Sequence, residues 1–201
     1  MNAAWVGPAQ DVRTWPRLDP LAPHARAVAA FADKAGIAEP TSRLMNNVAQ
    51  LLDAKALLAE AEPLMRRALS VAEASLGTDH PEVAIRLNNL AALLLATNRL
   101  ADAEPLMRRA LAIFFAFETQ TGHAHPHRDT VSGNYTALLA AMGRREAAIG
   151  EAITALRREA GLPAVDATSA NAAPRRPEKR SVFRLLRSIA GFPWRAARRR
   201  R

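Results

Sequence analysis

The sequence predicts an all-α fold, a short solenoid of stacked helix-turn-helix hairpins with disordered ends, and three observations carry the prediction. Residues 46–76 align with 88–118 at an offset of 42, with eighteen of thirty-one positions identical, the mark of a repeat architecture. Inside the repeat, apolar residues recur at helical rather than strand spacing. Aromatic residues make up only 5% of the chain while alanine, leucine and arginine recur throughout, a composition suited to closely packed helices rather than sheets.

Residues 1–19 carry no sustained period and read as disordered. PHARAVAAFADKAG, residues 22–36 or so, resembles the later PLMRRALSVAEASLG at an offset of 40, so it is expected to be the second helix of a degenerate first repeat. Three repeats follow at about 40–77, 80–118 and 125–161. The segment AEPLMRRAL occurs unchanged at Ala61–Leu69 and Ala103–Leu111, and Asn46, Asn47 return as Asn88, Asn89. The third copy is offset by 45, with three residues added between Phe117 and His125, and it has lost the Glu-Pro-Leu-Met-Arg-Arg block. That loss suits a terminal repeat with no successor to match.

Each repeat reads as two amphipathic helices. Leu87, Leu90, Ala91 and Leu94 form one stripe, and Ala103, Met107, Ala110 and Leu111 form the next, at spacings that put them on one helical face. Asn98 and Gly143 stand at matching turns, and both tolerate the positive φ of a helix end. Pro63 and Pro105 are expected near helix starts, where a missing N–H costs little. Glu62 with Arg66, and Glu104 with Arg108, are spaced for surface pairs.

LNNLAALLLATNRLADAEPLMRRALAI, with the connecting LGTDHPEVA, resembles the 42-residue tetratricopeptide variant found in kinesin light chains and many bacterial repeat proteins, over residues 40–160. The chain departs from that pattern in carrying Leu94 where an aromatic is often found and Asn98 for the usual turn glycine. The resemblance implies a right-handed solenoid whose concave groove, lined by the first helices, accepts short extended peptides. Another protein or peptide is the expected partner, and the chain is expected to serve as a scaffold or adaptor.

Asn47, Asn89 and Asn134 recur at one helical position, and an asparagine amide both donates to and accepts from an extended peptide backbone. On a helical wheel Asn89 lies opposite the Leu87, Leu90, Leu94 stripe, beside Ile85, Ala92 and Ala96, which would form a shallow apolar floor. The alternative is a ladder in which the asparagines bond to one another between repeats.

Nothing points to catalysis, cofactor or metal. There is no phosphate-cradling glycine loop and no nucleophile elbow, and with no cysteine there is no thiolate site. His123, His125 and His127 offer three imidazoles, but His125 is the counterpart of His80 in the ordinary inter-repeat loop, so a capping loop is the simpler reading. The N-terminus lacks the basic and apolar regions of a secretory signal, and no stretch approaches the ~20 apolar residues of a membrane span. The expected setting is cytoplasmic.

The formal net charge of +9 belongs to the tail: residues 163–201 hold eleven Lys/Arg against Asp166 and Glu178, leaving residues 1–162 balanced. Residues 163–180 read as a disordered linker. Beyond it, residues 181–201 form a basic amphipathic segment in which Phe183 and Leu186 lie on an apolar side, Arg184 and Arg187 opposite, with Trp194 and Arg195 following. Three roles are open: a peripheral contact with an anionic membrane, a cap on an exposed end of the repeats, and a nucleic-acid arm, the last disfavoured because the repeat body adds no basic face.

Overall fold

The computed structural model describes residue 9 and residues 11–163. Among them are eight α-helices and no strand: α1 (Trp15–Leu18), α2 (Ala22–Lys34), α3 (Glu39–Ala54), α4 (Leu58–Leu76), α5 (Pro81–Ala96), α6 (Leu100–Thr121), α7 (Arg128–Ala141) and α8 (Glu146–Glu159). Each of α2 to α7 packs on the next in chain order, and α3 also touches α5, α5 touches α7, and α6 touches α8. The predicted all-α solenoid of hairpins is the observed architecture, with α3, α5 and α7 on one side and α4, α6 and α8 on the other.

The expected stripes are the core. Leu87, Leu90, Ala91 and Leu94, with Ala103, Met107, Ala110 and Leu111, are at most 1% exposed. Fully burying each large side chain contributes roughly 1.5–3 kcal/mol, and the alanines let paired helices approach closely.

The three hairpin turns share one solution. Ala56, Asn98 and Gly143 have φ of 60°, 59° and 79°. Around them Leu57, Arg99 and Arg144 donate backbone hydrogen bonds to Leu52, Leu94 and Leu139 carbonyls, the bonding that ends a helix in a Schellman motif. Entry to α5 is set by Pro81 in the first turn and by His80, whose Nδ1 accepts from the Glu82 N–H at 3.1 Å.

The structure corrects three expectations. Residues 1–19 are not all without order: Val12–Thr14 form a 3-10 turn and Trp15–Leu18 a helical one. Leu18 is fully buried with Leu51, and the Trp15 indole donates to the Ala9 carbonyl at 2.8 Å, so apolar burial against α3 organises a stretch that lacks periodicity. Pro63 and Pro105 sit inside α4 and α6 rather than at their starts. The carbonyls each proline leaves unbonded belong to Ala59 and Ala101, both exposed, where solvent meets the need. Arg108 does not pair with Glu104; it reaches Glu159 at 3.1 Å, and Glu104 accepts from the Tyr135 hydroxyl at 2.8 Å. Glu62 and Arg66 do pair, at 2.7 Å.

The added residues before His125 lengthen α6, which has 22 residues against 19 in α4. The His125 ring stacks on Phe114 at 4.5 Å and meets Phe117 edge-on at 5.3 Å, covering the longer helix end.

Candidate protein-binding face

The first helices present equivalent positions side by side. Asn47 on α3, Asn89 on α5 and Asn134 on α7 are all half-buried, as are Ile85, Ala92 and Ala96 of α5. Ile85 also packs against the core, so it is a floor residue anchored from below.

Two of the three asparagines are committed to the inter-repeat seam. Asn89 Nδ2 donates to Asn46 Oδ1 at 3.0 Å, and Asn134 Nδ2 donates to Asn88 Oδ1 at 2.9 Å. The second asparagine of one repeat thus bonds the first asparagine of the repeat before it. Asn46 is only 4% exposed, so its oxygen depends on that donor. Each rung still leaves a lone pair and an N–H on the half-buried partner. Asn47 makes no side-chain hydrogen bond among the described residues, because no complete first helix precedes α3.

Sequence reasoning missed the role of the first asparagine. The signal was the pair itself: Asn46 and Asn88 stand where a repeat follows, and the corresponding position in the last repeat is Gly133, which has no successor to bond.

It also missed Arg86. That side chain is buried at 3% exposure between α3 and α5, with Nε 3.4 Å from Ser42 Oγ and Nη2 3.1 Å from Glu82 Oε2. The second contact is close but poorly aligned, since Arg86 Nη2 makes no hydrogen bond among the described residues; the buried Glu39 Oε2 likewise makes none. Burial pushes the Arg86 guanidinium below its ordinary range, partly offset by Glu82 and Glu39. Ser42 Oγ in turn donates to the Ala68 carbonyl at 2.8 Å. Nearby on α3, burial raises the Asp53 carboxyl. Ser42, Asn46 and Asp53 share one side of α3, so a polar seam flanks the apolar floor.

The remaining candidates are placed as follows. His123, His125 and His127 belong to the α6–α7 connection, where His125 Nδ1 accepts from the His127 N–H at 3.2 Å; no group of three potential metal ligands occurs among the described residues. Phe183, Arg184, Leu186, Arg187, Trp194 and Arg195, with the linker before them, lie outside the described residues. Among the described residues no helix is long and apolar enough to cross a membrane.

With this geometry in place, comparison with known families is informative: residues 40–114 match the tetratricopeptide repeat family model. Those residues, α3 to most of α6, are thus similar to tetratricopeptide repeats, units that generally mediate protein–protein interaction. No curated protein matches the chain.

Proposed function

We propose that the chain is a scaffold or adaptor that binds an extended segment of another protein along the face formed by α3, α5 and α7. The observation that carries this reading is the line of equivalent polar side chains, Asn47, Asn89 and Asn134, beside the floor of Ile85, Ala92 and Ala96. A peptide backbone exposes alternating donors and acceptors, and carboxamides satisfy both without demanding a sequence. Asn47 offers its whole amide, whereas Asn89 and Asn134 offer what the seam leaves over. The 42-residue period supports the kinesin-light-chain variant of the repeat. A cytoplasmic setting fits such a binder.

The test is a library of extended peptides screened against the full chain, followed by titration of the best binder against the Asn47→Ala variant. Affinity should drop about five- to thirtyfold, the scale of a lost interfacial hydrogen bond of ~1–2 kcal/mol, with an unchanged melting temperature. Undiminished binding to a triple variant at Asn47, Ile85 and Ala92, with bulky residues at the last two, would remove this face from consideration.

A further inference from the structure

Large apolar side chains exposed among the described residues are Val12, Val28, Phe31, Ile37 and Leu57, and none lies beyond residue 57. The uncovered apolar end of the stack is therefore the first, not the last. Repeat register explains why. Helix α2 corresponds to the second helices α4 and α6, so Val28 and Phe31 stand where α4 has Ala68 and Val71 and where α6 has Ala110 and Ile113. Those four residues are 0%, 8%, 0% and 4% exposed in complete hairpins, whereas Val28 and Phe31 are 43% and 75% exposed. The chain before α2 supplies only a 3-10 turn and the four-residue α1, and Leu18 of α1 packs on Leu51 of α3 instead of lying along α2. Helix α2 is half of a hairpin whose first helix is missing.

We propose that residues 182–190 of a second copy of the chain supply that helix, docking on Val28 and Phe31 so that two copies exchange their C-terminal segments. Three observations select this occupant. In VFRLLRSIA, residues 182, 185, 186 and 189 repeat the spacing by which Leu87, Leu90, Ala91 and Leu94 of α5 close their own hairpin, a first-helix pattern. The last repeat offers this segment no comparable target, since no large apolar side chain is exposed there among the described residues. The segment's own α2 is remote: α2 touches only α3 among its larger contacts, and α8 only α6 and α7. The shortest path of contacts between them, α2 to α3 to α5 to α7 to α8, takes four helix-to-helix steps of about 8–10 Å each. A flexible chain of 17 residues, the length of 164–180, would span about 20–25 Å, so docking within one molecule would need that length stretched, while reciprocal exchange between two molecules closes into a symmetric dimer.

The experiment compares the full chain with two full-length variants, Phe31→Asp, which spoils the face, and Leu186→Asp, which spoils the segment. Phe31 is exposed in the single chain, so its replacement should leave the helix content by circular dichroism unchanged, which serves as the control for folding. By sedimentation the wild type should be a dimer, each variant should associate at least about tenfold more weakly, as loss of a central apolar anchor does, and an equimolar mixture of the two should recover association because one intact face meets one intact segment. A wild type that stays monomeric overturns the proposal, whether its segment folds back on its own α2 or binds vesicles containing anionic lipid. So does a dimer that Phe31→Asp disrupts and Leu186→Asp does not, which would be two α2 faces meeting directly. A mixture that fails to associate although both variants fold also overturns it.

Discussion

The Asn89 amide donates to the Asn46 side-chain oxygen at 3.0 Å, joining α5 to α3 at a point where Asn46 is 4% exposed. Position in the array therefore divides one repeated residue type: Asn89 holds the seam, while Asn47 makes no such bond among the described residues.

Replacing the two should have separate effects. Asn89→Ala leaves the Asn46 oxygen buried without a donor and should cost ~1–3 kcal/mol of stability, read as a lower denaturation midpoint, besides weakening any peptide complex. Asn47→Ala should leave the midpoint in place. Equal midpoints for both variants would mean that the seam bond contributes nothing.

Ala56 is at φ 60° in the turn where the third repeat carries Gly143. A non-glycine residue in the left-handed region costs roughly 1–2 kcal/mol, and glycine gives back about 0.5–1 kcal/mol through its greater freedom when unfolded. Ala56→Gly should therefore stabilise the protein by a few tenths to ~1 kcal/mol, seen as a higher midpoint in urea. A lower midpoint would show that the turn is not strained at Ala56.

Tyr135 is the chain's single tyrosine, so its ionisation can be followed by ultraviolet absorbance. Burial first, and then its hydrogen bond to the Glu104 carboxylate, push its hydroxyl up to about 12. Because the folded state holds this proton more tightly, the associated stability is complete below the unfolded pKa of about 10 and is lost as pH rises from there towards 12. The folded protein should show little tyrosinate at pH 11. Tyr135→Phe should flatten the alkaline decline, and an unshifted titration would mean that the hydroxyl is solvated.

His125 behaves with the opposite sign. Burial against Phe114 and Phe117, and then the nearby His127, lower its pKa, with Glu82 opposing. Its neutral Nδ1 also accepts the His127 N–H, which a doubly protonated ring could not do. The folded state therefore favours the neutral ring, so its contribution is complete above about 6.5, the unfolded value, and declines as pH falls below it. Melting temperatures at pH 7.5 and 5.5 should differ more for the wild type than for His125→Asn, which keeps an acceptor without titrating; an equal difference would assign the acid sensitivity elsewhere.

Much of this was legible in the linear chain, because a hairpin repeat is a local structure. The 42-residue period, the stripe through Leu87, Leu90 and Leu94, and the turn positions of Asn98 and Gly143 all express contacts within one helix or between neighbours in sequence, and these survive as spacing. The equivalent placement of Asn47, Asn89 and Asn134 on α3, α5 and α7 was legible too, since recurrence at one wheel position carries over once the hairpins stack.

The sequence by itself thus determined the class, the repeat and the side of each helix that is buried. Tertiary structure alone decided how the polar groups were spent. Which asparagine bonds which, that Arg86 is buried beside Ser42, that Glu104 serves Tyr135 instead of Arg108, and that Leu18 closes on Leu51 are outcomes of packing between repeats 31 to 46 residues apart. The same holds for the open face of α2, whose Phe31 reads as a core position and is 75% exposed. Apolar periodicity reports which side of a helix seeks cover; whether a neighbour is present to give it depends on distances in space that no periodicity encodes.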